Sequence, residues 1–171
     1  MSDRQPVLLV VEDEPEVLRI NARILARRGY TVYTAESCRR AYERLAEIAP
    51  DLLILDIMLP DGSGYDICDK FRQTSDHPVI FLTGKSETQD KIEGLGRGGD
   101  YYLTKPYDTD ELLAVVSRLI KRYLETKQKH RQITEIIKGP LSLDIPKARA
   151  AVNGVDAGLT AKEFALLLEL L

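Results

Sequence analysis

The chain has 171 residues, of which 44% are hydrophobic and 30% charged, and its net charge is −3. This length allows one well-buried core and part of a second unit, and the acidic balance gives no basic field of the kind that nucleic-acid binding uses. The longest apolar run, Phe164–Leu168, is far shorter than the roughly 18 residues of a membrane span, so we expect a soluble, globular, cytoplasmic protein without membrane contact.

Short apolar strands alternate with amphipathic helices in the first part of the chain. Val7–Val11 is short, continuous and apolar, which indicates a buried strand. The helix that follows has Pro15 suited to its first turn and Gly29 just past its end. Further strands are predicted at Tyr30–Thr34, Leu52–Leu55, Pro78–Leu82 and Asp100–Leu103, a Pro- and Gly-rich loop at Leu59–Gly64, and helices at Cys38–Ile48, Tyr65–Arg72, Glu87–Arg97 and from Thr109 to about Leu124. Strand–helix units with short connections predict a parallel sheet covered by helices on both faces.

The chain changes character beyond the last of these helices. The stretch Arg118–Lys138 is rich in Lys, Arg and Gln, and we interpret it as a solvated helix end that runs into a linker. A nucleic-acid patch is the alternative, but the basic residues lack aromatic neighbours and a recognised motif.

A second, shorter unit is predicted after residue 140. Its signals are alternating apolar residues over Leu141–Ile145, a hairpin turn at Asn153-Gly154, and a capping box at Thr160–Glu163 that opens a helix over Phe164–Leu171. A segment of about 30 residues does not form an independent core without help. We therefore interpret this region as the start of a small domain that has been cut off.

The two cysteines do not indicate a metal or redox site. Cys38 and Cys68 lie in predicted helices and match no metal-binding spacing, so we expect them to be reduced structural thiols. The N-terminus also lacks the charged and apolar regions of a signal peptide.

Polar residues follow four of the predicted strands. Glu12 and Asp13 follow the first strand, Asp56 the third and Thr83 the fourth, and Lys105 lies two residues beyond the fifth. In a parallel α/β sheet these positions meet in one crevice. Carboxylates suit a hard cation such as Mg²⁺, and together with a hydroxyl and an ammonium they suit a phosphoryl group. The pattern therefore predicts a phosphoryl-transfer site.

Each of these residues alone has a simpler explanation. The pair Glu12-Asp13 is also typical of a helix start, Thr83 of an ordinary strand end, and Lys105 of a plain loop. Asp56 is harder to explain in this way, because an ionised carboxylate after four apolar residues is costly to bury without a partner. Their joint occurrence at the strand ends favours the site.

Four motifs carry a family resemblance: V-V-E-D-E-P, L-L-I-L-D-I-M-L-P-D-G-S-G, F-L-T-G and Y-L-T-K-P. In this order and spacing, from Pro6 to about Tyr123, they resemble the receiver domain of bacterial two-component response regulators. The resemblance implies a doubly wound, flavodoxin-like (βα)5 fold with a parallel sheet in the order 2-1-3-4-5. It also implies signalling rather than enzymatic turnover, since the only chemistry is the domain's own phosphorylation and dephosphorylation.

The resemblance gives each residue of the predicted site a role. Asp56 is the nucleophile that accepts a phosphoryl group from a sensor histidine kinase, while Lys105 and Thr83 bind phosphoryl oxygens. The Mg²⁺ ligands implied are Asp13, Asp56, the Met58 backbone carbonyl and, through a water, Glu12.

Signalling also requires an element with two states. By resemblance, the Thr83 hydroxyl turns towards the phosphoryl group and the Tyr102 ring turns inward, and the Lys105-Pro106 bond is expected to be cis. Gly84 stands where the family usually has alanine. The smaller residue leaves the phosphoryl group more open to water, which is expected to alter its lifetime.

The segment Leu141–Leu171 resembles the start of an OmpR/PhoB-type winged-helix effector domain. The predicted organisation is a receiver over residues 6–123, a linker over 124–140 and a truncated winged-helix domain over 141–171. Because the recognition helix and wing would follow, we expect DNA binding only of a full-length parent that controls transcription. The alternative is a stand-alone receiver or phosphorelay module without DNA binding.

Activated receivers of that subfamily form homodimers through the fourth helix, fifth strand and fifth helix. The charged pattern of this face matches at Lys91, Asp100, Glu111 and Arg118 and departs at Arg97, Tyr101 and Val115. Exposed ion pairs contribute only about 0–1 kcal/mol each, so we expect dimers that are weaker or differently arranged.

Two other protein classes use parts of the same pattern. A haloacid-dehalogenase-type phosphohydrolase has an aspartate nucleophile after a strand but needs a second acid two residues later, where this chain has Met58. A flavodoxin-like cofactor-binding protein needs a phosphate-cradling loop after the first strand, where Glu12 and Asp13 would repel the phosphate.

Overall fold

The computed structural model describes residues 4–84, 98–132 and 135–170, and the chain divides into two compact units between Tyr123 and Leu124. The first unit is built on a sheet whose neighbouring strands are all parallel. Its strands are β1 (Val7–Val11), β2 (Thr31–Ala35), β3 (Leu52–Asp56), β6 (Val79–Thr83) and β7 (Tyr101–Thr104). Their order is β2-β1-β3-β6-β7, which confirms the predicted order 2-1-3-4-5. The helix predicted at Glu87–Arg97 lies outside the described residues.

Helices cover both faces of this sheet. They are α1 (Pro15–Arg27), α2 (Cys38–Glu47), α3 (Gly64–Arg72) and α4 (Thr109–Gln132). Successive residues of a strand face opposite sides: Leu8 packs in one cluster with Leu25 of α1 and Val116 of α4, and Leu9 packs in another with Phe71 of α3. The doubly wound architecture is therefore confirmed. Among the described helices, none combines the length and apolar composition that spanning a bilayer requires.

Most bounds of the described elements lie within three residues of the prediction, and two differences are larger. Helix α4 ends at Gln132 rather than near Leu124, because the Glu, Lys and Gln residues in between are good helix formers even though few apolar residues accompany them. The loop predicted at Leu59–Gly64 contains part of a short antiparallel pair, β4 (Met58–Leu59) and β5 (Gly62–Ser63). This pair lies directly after β3, so it shapes the segment that follows Asp56.

The second unit contains an antiparallel sheet and a helix. Its strands are β8 (Glu135–Lys138), β9 (Leu141–Asp144), β10 (Arg149–Val152) and β11 (Val155–Asp156), in the order β11-β10-β9-β8, and α5 (Ala161–Glu169) follows. Asn153 and Gly154 have φ angles of 53° and 81°, the left-handed values that a two-residue hairpin turn requires. The Thr160 side chain accepts from the Glu163 backbone N–H, and the Glu163 carboxylate accepts from the Thr160 backbone N–H. The predicted hairpin and capping box are therefore confirmed.

The segment predicted as a linker over residues 124–140 is largely regular structure, since it holds the end of α4 and strand β8. The sequence E-I-I-K is too short and too charged to indicate a strand by itself. The strand forms because it pairs with β9, with Ile136 opposite Leu143, and because Ile136 packs against the buried cluster of Leu143, Ala150 and Phe164. Strand β9 ends at Asp144, one residue before the predicted alternation does.

Both cysteines are buried and free of disulfides, and burial raises the pKa of the Cys38 and Cys68 thiols to about 11. Thiolate is the reactive form, and at pH 8 it is scarce for a thiol with so high a pKa. We expect iodoacetamide to alkylate the folded protein at least about 100-fold more slowly than the urea-unfolded chain at this pH. The rate for the folded protein should rise as the pH approaches 11. Intact-mass measurement follows both rates, and equal rates would contradict the burial of the thiols.

Candidate functional site

The carboxyl ends of β1 and β3 bring three acidic side chains together. Glu12 and Asp56 are buried, with 0% and 6% of their surface exposed, whereas Asp13 is exposed. One carboxylate oxygen from each of the three lies within 4.8 Å of the other two. The parallel register, with Val11 opposite Leu55, explains this convergence because it places the residues after both strands at the same edge of the sheet.

Lys105 links two of these acids. Its Nζ donates to Oε2 of Glu12 at 2.6 Å and to Oδ2 of Asp56 at 2.8 Å. Its backbone N–H donates to the Thr83 carbonyl at 2.6 Å, which ties the lysine to the end of β6. The Lys105-Pro106 peptide bond is cis, as expected. Lys105 therefore contacts two of the three clustered acids, so the structure brings four of the predicted site residues together where the strands end.

The close packing of these charges shifts two pKa values. Burial, opposed by the hydrogen bond from Lys105 and reinforced by the charge of Asp56, raises the pKa of Glu12 to about 7. Burial alone would lower the pKa of Lys105, but its hydrogen bonds to Asp56 and Glu12 outweigh that effect and raise the pKa above its usual range. Glu12 also accepts the backbone N–H of Glu14 at 3.2 Å, at the start of α1. Glu12 therefore has two roles: it accepts a backbone N–H at the start of a helix, as its simpler explanation predicted, and it binds the Lys105 ammonium.

The segment after Asp56 holds its carboxylate in one orientation. Oδ1 accepts the Met58 backbone N–H at 2.9 Å, while Oδ2 accepts from Lys105. The Ile57 carbonyl accepts the Gly64 N–H at 3.0 Å. Gly64 lies so close that a Cβ there would be 2.2 Å from the Asp56 carbonyl oxygen. Sequence analysis did not single out this glycine, although the run P-D-G-S-G is the signal that could have indicated it. The role of the Met58 carbonyl stays a prediction.

The two predicted switch residues lie on neighbouring strands. Thr83 is buried at the end of β6, with 3% of its surface exposed. Tyr102 is half-buried on β7, its ring centre lies 5.3 Å from that of Phe81, and its hydroxyl donates to the Tyr65 hydroxyl at 3.3 Å. Nothing in the sequence marks Tyr65, because the contact joins residues far apart along the chain. The switching roles themselves stay predictions.

The predicted dimer residues are placed as follows. Asp100 accepts from Arg72 at 2.8 Å within the chain. The Arg118 guanidinium lies 5.3 Å from the ring centre of the first tyrosine of β7. Glu111 is exposed in the first turn of α4, and Lys91 lies outside the described residues. Two of the four side chains therefore make contacts within the chain, and the dimer face stays a prediction.

An acidic crevice with a half-buried lysine, at the carboxyl edge of a doubly wound parallel sheet, is the arrangement typical of signal-receiver domains. The family model of the response regulator receiver domain matches residues 8–117, and the chain belongs to this family. In the receiver family this acidic pocket binds Mg²⁺.

Known relatives place the chain among transcriptional response regulators. It is 39% identical over 163 residues to the transcriptional regulatory protein PrrA of Mycobacterium tuberculosis, covering 95% of this chain and 69% of the relative. It is 36% identical over 165 residues to the DNA-binding dual master transcriptional regulator RpaA of Synechocystis, covering 95% of this chain and 68% of the relative.

The structure is also similar to that of DrrB, an OmpR/PhoB homologue from Thermotoga maritima. The TM-score is 0.64 at 30% sequence identity, over 98% of this chain and 72% of DrrB. The similarity to these three proteins extends through the second unit, which favours a transcriptional response regulator over a stand-alone receiver. The chain is accordingly a two-component response regulator.

Proposed function

We propose that Asp56 accepts a phosphoryl group from a sensor histidine kinase in the cytoplasm and that the phosphorylated protein controls transcription. The observation that carries this proposal is the Lys105 ammonium held between the carboxylates of Glu12 and Asp56 at the carboxyl edge of the sheet. A fixed cation beside a buried carboxylate is what a transferring phosphoryl group requires, because the charge on its oxygens must be neutralised.

The orientation of Asp56 supports its role as the nucleophile. Hydrogen bonds from the Met58 N–H and Lys105 hold both carboxylate oxygens, so little conformational freedom remains to be lost during attack. A lone pair of one Asp56 oxygen attacks phosphorus, the bond from phosphorus to the donor nitrogen breaks, and an acyl phosphate forms. Lys105 and the Thr83 hydroxyl would then bind phosphoryl oxygens.

The acidic side chains fit a Mg²⁺ ion. Three carboxylate oxygens lie within 4.8 Å of one another, they are the hard ligands that this ion prefers, and the three acids outnumber the single ammonium. We propose that Asp13, Asp56 and the Met58 carbonyl hold the ion and that Glu12 acts through a water. When bound, Mg²⁺ supplies additional positive charge against the phosphoryl oxygens.

We propose that the signal leaves the site through Thr83 and Tyr102, the switch residues at the ends of β6 and β7. Homodimers would then form through the face that carries Lys91, Asp100, Glu111 and Arg118. The transcriptional regulators PrrA and RpaA, which are similar to 95% of this chain, support transcription as the output, with DNA as the partner of a complete winged-helix domain.

The test is the mass of the protein after incubation with acetyl phosphate and Mg²⁺. We expect the wild type to gain one phosphoryl group, about 80 Da, and to lose this gain in EDTA. Asp56→Asn should gain nothing, whereas Asp69→Asn, which changes an exposed aspartate of α3, should gain as much as the wild type. A wild type that gains no mass under any of these conditions would overturn the proposal.

A further inference from the structure

Three aromatic rings connect the segment after Asp56 to strand β7. Tyr65 has 6% of its surface exposed, and its ring centre lies 4.9 Å from that of Phe81 at an interplanar angle of 60°. The Phe81 ring, fully buried on β6, lies 5.3 Å from that of Tyr102. The Tyr102 hydroxyl closes this arrangement by donating to the Tyr65 hydroxyl at 3.3 Å. The contact between the two hydroxyls therefore joins α3 to β7, and the Phe81 side chain of β6 lies against both tyrosine rings.

Both ends of this contact are tied to the site. Tyr65 follows Gly64, whose N–H donates to the Ile57 carbonyl and which packs against the Asp56 peptide. Tyr102 precedes Lys105 by three residues on the same stretch of chain, and the Lys105 ammonium donates to Asp56. The contacts thus form a closed loop that runs from Asp56 through Tyr65 and Tyr102 to Lys105 and back to Asp56.

From this closed loop of contacts we propose that Tyr65 is a positioning residue, whose hydroxyl holds the Tyr102 ring against Phe81 and thereby biases the switch before any phosphoryl group is present. The inference rests on the proposed function, in which Tyr102 is a switch residue. A two-state element responds to phosphorylation according to the free energy that already separates its states. Because the Tyr65 hydroxyl favours the inward position of the Tyr102 ring, it reduces the free energy that phosphorylation must supply to shift the switch.

The fold explains why a hydroxyl is effective at this position. Phe81 lies opposite Tyr102 in the register of β6 and β7, so the two rings already lie side by side. Phenylalanine at position 65 would keep the packing on Phe81 and remove the hydroxyl that accepts from Tyr102. One neutral hydrogen bond in a protein changes an equilibrium by about fivefold, which sets the size of the bias.

The first measurement is a double-mutant cycle on urea unfolding, without Mg²⁺ or phosphodonor. It compares the wild type, Tyr65→Phe, Tyr102→Phe and the double variant, and we expect the two hydroxyls to be coupled by about fivefold in the unfolding constant. Tyr33→Phe is the matched control, since Tyr33 is partly buried against the same cluster and should show no coupling to Tyr102→Phe. A cycle without coupling between positions 65 and 102 would overturn the inference.

The second measurement separates positioning from mere stabilisation. The rate of phosphorylation by acetyl phosphate should fall about threefold to fivefold in Tyr65→Phe and should not fall further when Tyr65→Phe is added to Tyr102→Phe. An equal fall in the phosphorylation rate in both backgrounds, or no fall in either, would overturn the positioning role.

If the wild type is not phosphorylated at all, the proposed function fails, and the positioning role, which depends on the switch, fails with it. The unfolding cycle would still show whether the two hydroxyls are coupled, so the two failures are distinguishable.

Discussion

Gly64→Ala is expected to lower the free energy of unfolding by about 3 kcal/mol, the upper range for overpacking a filled site. Helix propensity alone predicts the opposite sign, because alanine is better than glycine inside a helix by about 1 kcal/mol and Gly64 begins α3. The clash outweighs propensity, since the new Cβ would lie 2.2 Å from the carbonyl oxygen of Asp56. The chain has to move Asp56 or α3 to relieve it, so phosphorylation should slow by at least about tenfold as well.

Urea unfolding and the rate of mass gain with acetyl phosphate measure the two effects. Gly84→Ala is the matched control, because nothing among the described residues lies within 4 Å of a Cβ at that position. Its free energy of unfolding should stay within about 0.5 kcal/mol of the wild type. If Gly64→Ala were as stable as Gly84→Ala, that result would contradict the close packing of Gly64 against the Asp56 peptide.

Lys105→Ala is expected to affect metal binding and phosphorylation in opposite directions. Without Mg²⁺ the variant leaves Glu12 and Asp56 near each other with no ammonium between them, and losing one partner of such a buried group costs about 3 kcal/mol. Mg²⁺ then has no competing cation and should bind more tightly, on the order of tenfold. Phosphorylation should nevertheless slow by about 100-fold, because a fixed charge that stabilises the transition state is gone.

Mg²⁺ titrations of the unfolding midpoint measure the first effect, since a ligand that binds only the folded state raises its stability. The midpoint of Lys105→Ala should therefore rise more with Mg²⁺ than that of the wild type. Lys121→Ala, which removes an exposed lysine of α4, should behave as the wild type in both assays. Weaker Mg²⁺ binding by Lys105→Ala would show that the lysine supports the ion instead of competing with it.

The strand pattern and the polar residues at the strand ends were predictable because both depend on local sequence and on one rule of α/β sheets. Apolar runs indicated the three central strands, and their alternation with helices indicated the two outer ones. The rule that the carboxyl ends of parallel strands share an edge then predicted that Glu12, Asp56 and Lys105 lie close together. The structure has these three side chains in contact. Their roles in phosphoryl transfer stay predictions until the mass measurement is made.

The features that sequence analysis missed depend on contacts between distant residues. Strand β8 forms through its pairing with β9, and the Tyr65 hydroxyl matters only because β7 brings Tyr102 to it. Arg72 is a further case, since its guanidinium donates to the carbonyls of Gly98 and His77 and to Asp100. A single arginine at the end of a predicted helix carries no periodicity or motif that would indicate these partners.

The two sheets also differ in how quickly they can form. In the order β2-β1-β3-β6-β7, every neighbouring pair is parallel, so each pairing requires a crossover of about a dozen residues or more before any ladder hydrogen bond is made. In the order β11-β10-β9-β8, neighbours in the sheet are also neighbours along the chain, and hairpins of this kind form within about 1–10 μs. Since chain entropy must be lost before non-local contacts compensate for it, the strand pairing in the first unit is the slow step as the chain folds. The acidic crevice, which draws on β1, β3, β6 and β7 together, is therefore completed only when that slow pairing is finished.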